Sequence, residues 1–296
     1  MKYRNTNGTR RQIMINIVTS GCSFTHDPDS WANVLQKKLS DKYTVTNVAQ
    51  GGVGQEYIVR SAIMKLQQLT TPKLCIVQFS GFWRATLHLD KLENPELFEK
   101  LKSEKIKWDT RQCYNESIKI DNMIMLKTTD LNHAWWDSSK LELTSKIING
   151  YNLAVSSDQR TMLSYENISH LQMYCKLNKI PLLCFFGWQD CLEHPYNIEL
   201  VNQIREQVDW KNIWFHKNGG GMAEWMLDNG HHGKLEEDKT NNPPTGLENV
   251  RGHRLNLQTN KKSEKTEWKR IMGHPTAEAH EAFCREIIIP WIKEND

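Results

Sequence analysis

Between Ile13 and Phe79 the sequence alternates short apolar runs with amphipathic ones, three times over. Ile13 to Thr19 is nearly continuous in apolar character, as a central strand covered on both faces requires. Asp27-Pro28-Asp29-Ser30 then offers capping residues and a proline ahead of Trp31, Val34, Leu35 and Leu39, which recur at helical spacing. Tyr43 to Val48 reads as a second strand, Glu56 to Leu69 as a helix stopped by Pro72, and Leu74 to Phe79 as a third strand. Strand–helix repetition of this kind builds a parallel sheet with right-handed crossovers. The pattern resumes later in the chain. A long helix is expected over Leu153 to Asn178, with Leu163, Ile168, Leu171, Cys175 and Leu177 on one broad face. Strands follow at Pro181 to Phe186 and Ile213 to His216, with a helix over Ile198 to Val208 between them and a last helix over Thr276 to Glu294.

The expected fold is therefore α/β: one domain over residues 1–296, a doubly wound, flavodoxin-like parallel sheet of about five strands with helices on both faces. Two stretches break the alternation. Residues 85–150 are charged and rich in aromatics and read as a partly helical insertion over the carboxyl edge of the sheet. Residues 217–269 hold Gly219-Gly220-Gly221 and Asn241-Asn242-Pro243-Pro244 and read as mostly loop. Met1 to Gln12 reads as a loose polar arm.

Composition narrows the classes. A chain of 296 residues with 39% hydrophobic and 25% charged residues is ordinary for a globular protein. A net charge of +3 is too small to predict nucleic-acid binding. Seven cysteines, an odd number without a C-x-x-C pair, read as reduced; Cys75, Cys184 and Cys284 sit in apolar runs as small buried hydrophobes. No run has the length of a signal peptide or a membrane span, so synthesis in the cytoplasm and no membrane partner are expected.

Three separated stretches fall just past strand ends, where a doubly wound sheet binds ligands. Thr19-Ser20-Gly21-Cys22-Ser23-Phe24-Thr25 places a serine in a tight turn between strand and helix, beside the N–H groups of a helix start. That suits a nucleophile next to an oxyanion hole. Asn47-Val48-Ala49-Gln50-Gly51-Gly52-Val53-Gly54 is a glycine turn that lets backbone N–H approach a ligand oxygen. His274, in Gly273-His274-Pro275, stands ahead of the last helix and is a candidate general base. Cys22 reads as a buried side chain rather than a thiol nucleophile. His216, His231, His232 and His253 lack fixed ligand spacing, so no metal is expected. No cofactor is expected either, since the glycine turn lacks the Lys-Ser/Thr of a nucleotide loop.

Taken together, these blocks resemble the SGNH (GDSL-like) hydrolases. Gly21-Cys22-Ser23-Phe24 looks like that family's first block, Asn47 with Gly52 like its second, and Gly273-His274-Pro275-Thr276 followed by His280 like its last. The resemblance implies a serine esterase with Ser23 as nucleophile, His274 as base, and the N–H groups of Ser23 and Gly52 on the oxyanion. It also implies a small acyl ester or acylated carbohydrate as substrate. Two departures stand out. The third block, Gln78 to Arg84, places Phe82 where the family has an asparagine, leaving Ser80 or Arg84 as replacement oxyanion donor; Ser-x-x-x-Arg is nearer to virus and phage members. The positions before the histidine hold Ile271 and Met272 instead of an aspartate, so Asp190, Asp228 or a backbone carbonyl must orient the ring. Arg84, Trp83 and Trp188 are the expected substrate-binding residues, with the tryptophans of the insertions either stacking sugar rings or packing onto the sheet. The rival reading is a catalytically degenerate binding or structural module, a virus-particle component or homo-oligomer.

Overall fold

The apolar runs pair side by side, all in one direction. The structure, a computed structural model, describes residues 14–70, 73–106, 123–127, 142–188, 199–231, 233–236 and 270–296. Strand β1 (Ile15–Ser20) lies between β2 (Tyr43–Asn47) and β3 (Lys73–Phe79), parallel to both. Beyond β3, and outside the main sheet, β4 (Thr86–Asp90) and β5 (Met123–Lys127) form an antiparallel pair. The main sheet continues with β6 (Leu182–Phe186) on β3 and β7 (Ile213–Trp214) on β6. Its order is β2-β1-β3-β6-β7. Counting only the five sheet strands, this is the flavodoxin-like order, which reverses direction between β1 and β3 and opens a crevice past their carboxyl ends.

Between the strands run α1 (Ser23–His26), α2 (Trp31–Leu39), α3 (Gln55–Gln68), α4 (Pro95–Ile106), α5 (Glu142–Ala154), α6 (Ser157–Leu177), α7 (Glu199–Arg205) and α8 (Met222–Asp228). Strands β8 (Gly233–Glu236) and β9 (Arg270–Pro275) pair antiparallel ahead of α9 (Ala277–Phe283). A π turn, Cys284–Ile288, links α9 to α10 (Ile289–Asn295). Pro290 lies just beyond that turn and has no N–H to return to the helix, which favours a local change in hydrogen-bond step.

Two adjacent phenylalanines show how the layers form. The Phe185 ring meets Trp31 of α2 at 5.5 Å and Phe283 of α9 at 5.1 Å. The Phe186 ring meets Phe82 at 5.9 Å, and Phe82 stands edge-on to Tyr165 of α6 at 5.0 Å. Consecutive strand residues point to opposite faces. Helices α2 and α9 therefore cover one face and α6 the other, with α3 packed beside α6. Trp31, Phe79, Phe82, Phe185, Phe186 and Phe283 are fully buried, each contributing about 1.5–3 kcal/mol.

The expected helix over Leu153 to Asn178 is two helices. The chain breaks at Ser156, whose hydroxyl accepts the Gln159 N–H at 3.1 Å and starts α6 afresh. The buried stripe of α6 is Thr161, Ser164, Tyr165, Ile168, Leu171 and Cys175. Leu163 and Leu177 fall off that stripe and are exposed. The stretch 217–269 is not all loop either: α8 buries Met222, Ala223, Trp225 and Met226 in the main core. Residues 1–13 and 237–269 lie outside the described residues. In the stretch 85–150, Phe98, Leu101, Leu126 and Ile148 form a small core of their own. Among the described residues no helix is long and apolar enough to cross a membrane.

Candidate active site

Ser23 opens α1 directly after β1. Cys22, in extended conformation, is the cap, and its carbonyl accepts the N–H groups of Thr25 and His26, each at 3.0 Å. A side chain at Gly21 would put its Cβ 2.2 Å from Thr25 Oγ1, so only glycine fits this close approach. Cys22, Phe24 and Thr25 are buried while Ser23 is half-buried, so the turn presents the serine at the rim. Its hydroxyl makes no hydrogen bond among the described residues.

Beneath the turn sits Gln78, fully buried on β3. Its Oε1 accepts from the Cys22 N–H at 3.4 Å, the Cys22 thiol at 3.2 Å and the Thr25 hydroxyl at 3.2 Å. Its amide donates to the Phe79 carbonyl. This one carboxamide ties the serine turn to the neighbouring strand, and sequence reasoning assigned it no role. The available signal was a polar side chain in the otherwise apolar run Leu74 to Phe79, since buried polar groups need partners. Cys22 is held under the turn by the same bond and is not presented as a nucleophile.

The second block is laced to the first. Asn47 Nδ2 donates to the Thr25 carbonyl at 2.7 Å and Asn47 Oδ1 accepts the Ala49 N–H at 3.1 Å. The Gln50 N–H reaches the Gly21 carbonyl at 3.2 Å. His26 Nδ1 lies 3.0 Å from the Ala49 carbonyl, which can only accept and so places the proton on that nitrogen. The turn that follows comes against the serine: a Cβ on Gly51 would be 3.9 Å from Ser23 Cβ, and Gly52 adopts φ +75°.

The third block corrects two expectations. Ser80 is fully buried and its hydroxyl donates to the Val53 carbonyl at 2.9 Å, so its single proton holds the glycine loop and is not offered to an oxyanion. Phe82, at the position where SGNH hydrolases carry an asparagine, is a core side chain against Tyr165 and Phe186. Arg84 is half-buried, with its guanidinium 5.0 Å from the Trp83 ring centre and 5.1 Å from that of Trp188. Each such contact contributes about 0.5–2 kcal/mol. Arg84 Nε and Nη1 are buried and have no hydrogen-bond partner among the described residues. A buried donor left unpaired costs about 1–3 kcal/mol. Trp188 is 6% exposed, and its ring packs on Phe24 at 5.5 Å as well as on Arg84. It therefore cannot serve as an open platform for a sugar ring and instead packs between Phe24 and the Arg84 guanidinium.

His274 arrives from the far end of the chain. It sits near the end of β9, which packs against α1, just before Thr276 caps α9 by accepting the Ala279 N–H at 3.3 Å. The imidazole stands edge-on to the Phe24 ring at 5.4 Å. Phe24 thus joins His274 on one side to Trp188 on the other, and Ser23 is its chain neighbour. Asp190 lies outside the described residues. Asp228 is engaged elsewhere, its Oδ2 2.9 Å from His216 Nε2. His280 is buried in α9, and His231 stacks on Trp225 at 5.9 Å. His232, His253, Trp108, Trp135 and Trp136 lie outside the described residues. Cys75, Cys175, Cys184 and Cys284 are free and buried, and the hydrogen bond with the Cys175 thiol, together with burial, pushes Cys75 well up.

No family model and no curated protein matches the chain.

Proposed function

We propose that this chain is a serine esterase of the SGNH type that removes a small acyl group, such as acetyl, from a carbohydrate. The observation that carries the reading is the position of Ser23: half-buried, against the Gly51–Gly52 turn, and next in the chain to the phenylalanine that packs on His274. In this reading Ser23 Oγ attacks the ester carbonyl while His274 accepts its proton. The N–H groups of Ser23 and Gly52 receive the developing negative charge. His274 then protonates the leaving alcohol, and water completes the cycle through the same histidine. Asp190 is the proposed orienting carboxylate.

A second reading, a non-catalytic binding or structural module such as a virus-particle component, is favoured by the third block. With Phe82 in the core and the Ser80 hydroxyl occupied, a side-chain oxyanion donor worth about 10²–10³ in kcat is missing there. Incubation with p-nitrophenyl acetate and a fluorophosphonate probe separates the two. The esterase turns over the ester and is labelled on Ser23. Neither turnover nor label between mild acid and mild base leaves the module reading.

A further inference from the structure

We infer that Arg84 is an anion-recognising residue, and that the ester handled at this site carries an oxyanion, a carboxylate or a phosphate, close to the scissile bond. The second half of that statement rests on the esterase reading; the first does not.

Four observations converge. The guanidinium carbon lies over two indoles, 5.0 Å from the Trp83 ring centre and 5.1 Å from that of Trp188, so cation–π contacts hold the group while its N–H donors are left for a polar partner. Nε and Nη1 are buried and find no acceptor among the described residues, and no ion pair to Arg84 occurs there. The nearby acid, Glu56, does not neutralise it: its carboxylate accepts the Thr86 N–H and feels the charge of Arg60 instead. Finally, Arg84 belongs to the edge that holds Ser23. Its neighbour Trp188 packs on Phe24 at 5.5 Å, and a Cβ on Gly54, beside the glycine turn, would lie 2.5 Å from the Arg84 carbonyl.

The chemistry of such a group is narrow. A guanidinium stays charged throughout the accessible pH range, and its donors match the oxygens of carboxylate and phosphate. Contact with two indoles restricts the side chain before a ligand arrives, so less entropy is lost on binding. A neutral ligand would leave the cation without a counter-charge in a half-buried place, whereas an anion supplies charge and acceptors together.

The test has a binding arm and a turnover arm, on the full chain and on Arg84→Gln and Arg84→Lys. Tryptophan fluorescence, sensitive to Trp83 and Trp188, is titrated with sodium succinate and with inorganic phosphate. The proposal expects a saturable change for at least one of them, weakened about 10–100-fold in R84Q and less in R84K, and the anion that binds identifies the class. In the turnover arm, p-nitrophenyl hemisuccinate is compared with p-nitrophenyl acetate, and the ratio of their kcat/KM values should fall at least about tenfold in R84Q. No saturable change with either anion, or the same affinity in both variants as in the parent, overturns anion recognition. Saturable, Arg84-dependent binding with no turnover of either ester upholds it and overturns the esterase reading instead.

Discussion

The imidazole of His274 meets the ring of Phe24 edge-on, with centroids 5.4 Å apart, and Phe24 follows the proposed nucleophile directly in the chain. The proposed base thus makes an aromatic contact in the described structure, and that contact can be cut without touching either proposed reacting group. Phe24→Ala should cost about 3–5 kcal/mol in denaturant unfolding, because Phe24 is buried against Trp188 as well. Phe24→Leu keeps most of the burial but withdraws the ring edge, and ester hydrolysis should drop about 10–100-fold. Full activity in F24L would mean that another group holds His274.

Ser23→Ala makes the opposite demand. Ser23 is half-buried and its hydroxyl makes no hydrogen bond among the described residues, so its loss should change unfolding free energy by no more than about 0.5 kcal/mol. Hydrolysis should fall by about 10⁴-fold or more and fluorophosphonate labelling should vanish. Residual labelling, mapped by mass spectrometry to another residue, would remove Ser23 from the mechanism.

Gln78→Leu tests the support under the turn. The substitution leaves the Thr25 hydroxyl and the Cys22 N–H without their buried acceptor, at about 1–3 kcal/mol for each group. Calorimetric melting should show the loss, and labelling of Ser23 should slow because the turn is no longer held to β3. A variant as stable as the parent would show that these donors find other partners.

Glu56 sets a pH signature. Burial raises its carboxyl above the ordinary carboxylate range, countered in part by the Thr86 N–H and by Arg60. A raised folded value means that the folded chain binds this proton more tightly than the unfolded chain. The resulting stability is fully present below the ordinary carboxylate value and is lost as pH rises through the raised one. Glu56→Gln keeps an acceptor for Thr86 and removes the titration, so this fall should disappear from unfolding free energies measured from acid to neutral pH. An unchanged profile in E56Q would assign the pH dependence to other groups.

How far the sequence reaches can be read from β3 and its neighbours. The apolar run Leu74 to Phe79 announced a buried strand, but the role of Gln78 depends on which strand lies beside it and in what register. Ser20 of β1 pairs with Val77, which brings Gln78 level with the turn at Gly21 and Cys22. Ser80 was chosen for its hydroxyl, and packing turned that hydroxyl toward Val53. The single long helix expected before β6 failed on a local signal, the cap at Ser156, that lay within a run of otherwise helical character.

From its own order of residues the chain determined the five parallel strands, the serine turn after the first, the glycine turn after the second and the last helix after Pro275. Those features depend on periodicity and on turn chemistry within a few neighbouring residues. Tertiary structure alone decided that Gln78 holds the serine turn, that Phe24 links His274 to Trp188, and that Trp188 comes to the Arg84 guanidinium. Each of these joins residues from different strand ends, and which ends meet follows from strand order and register across the sheet, which no local stretch encodes.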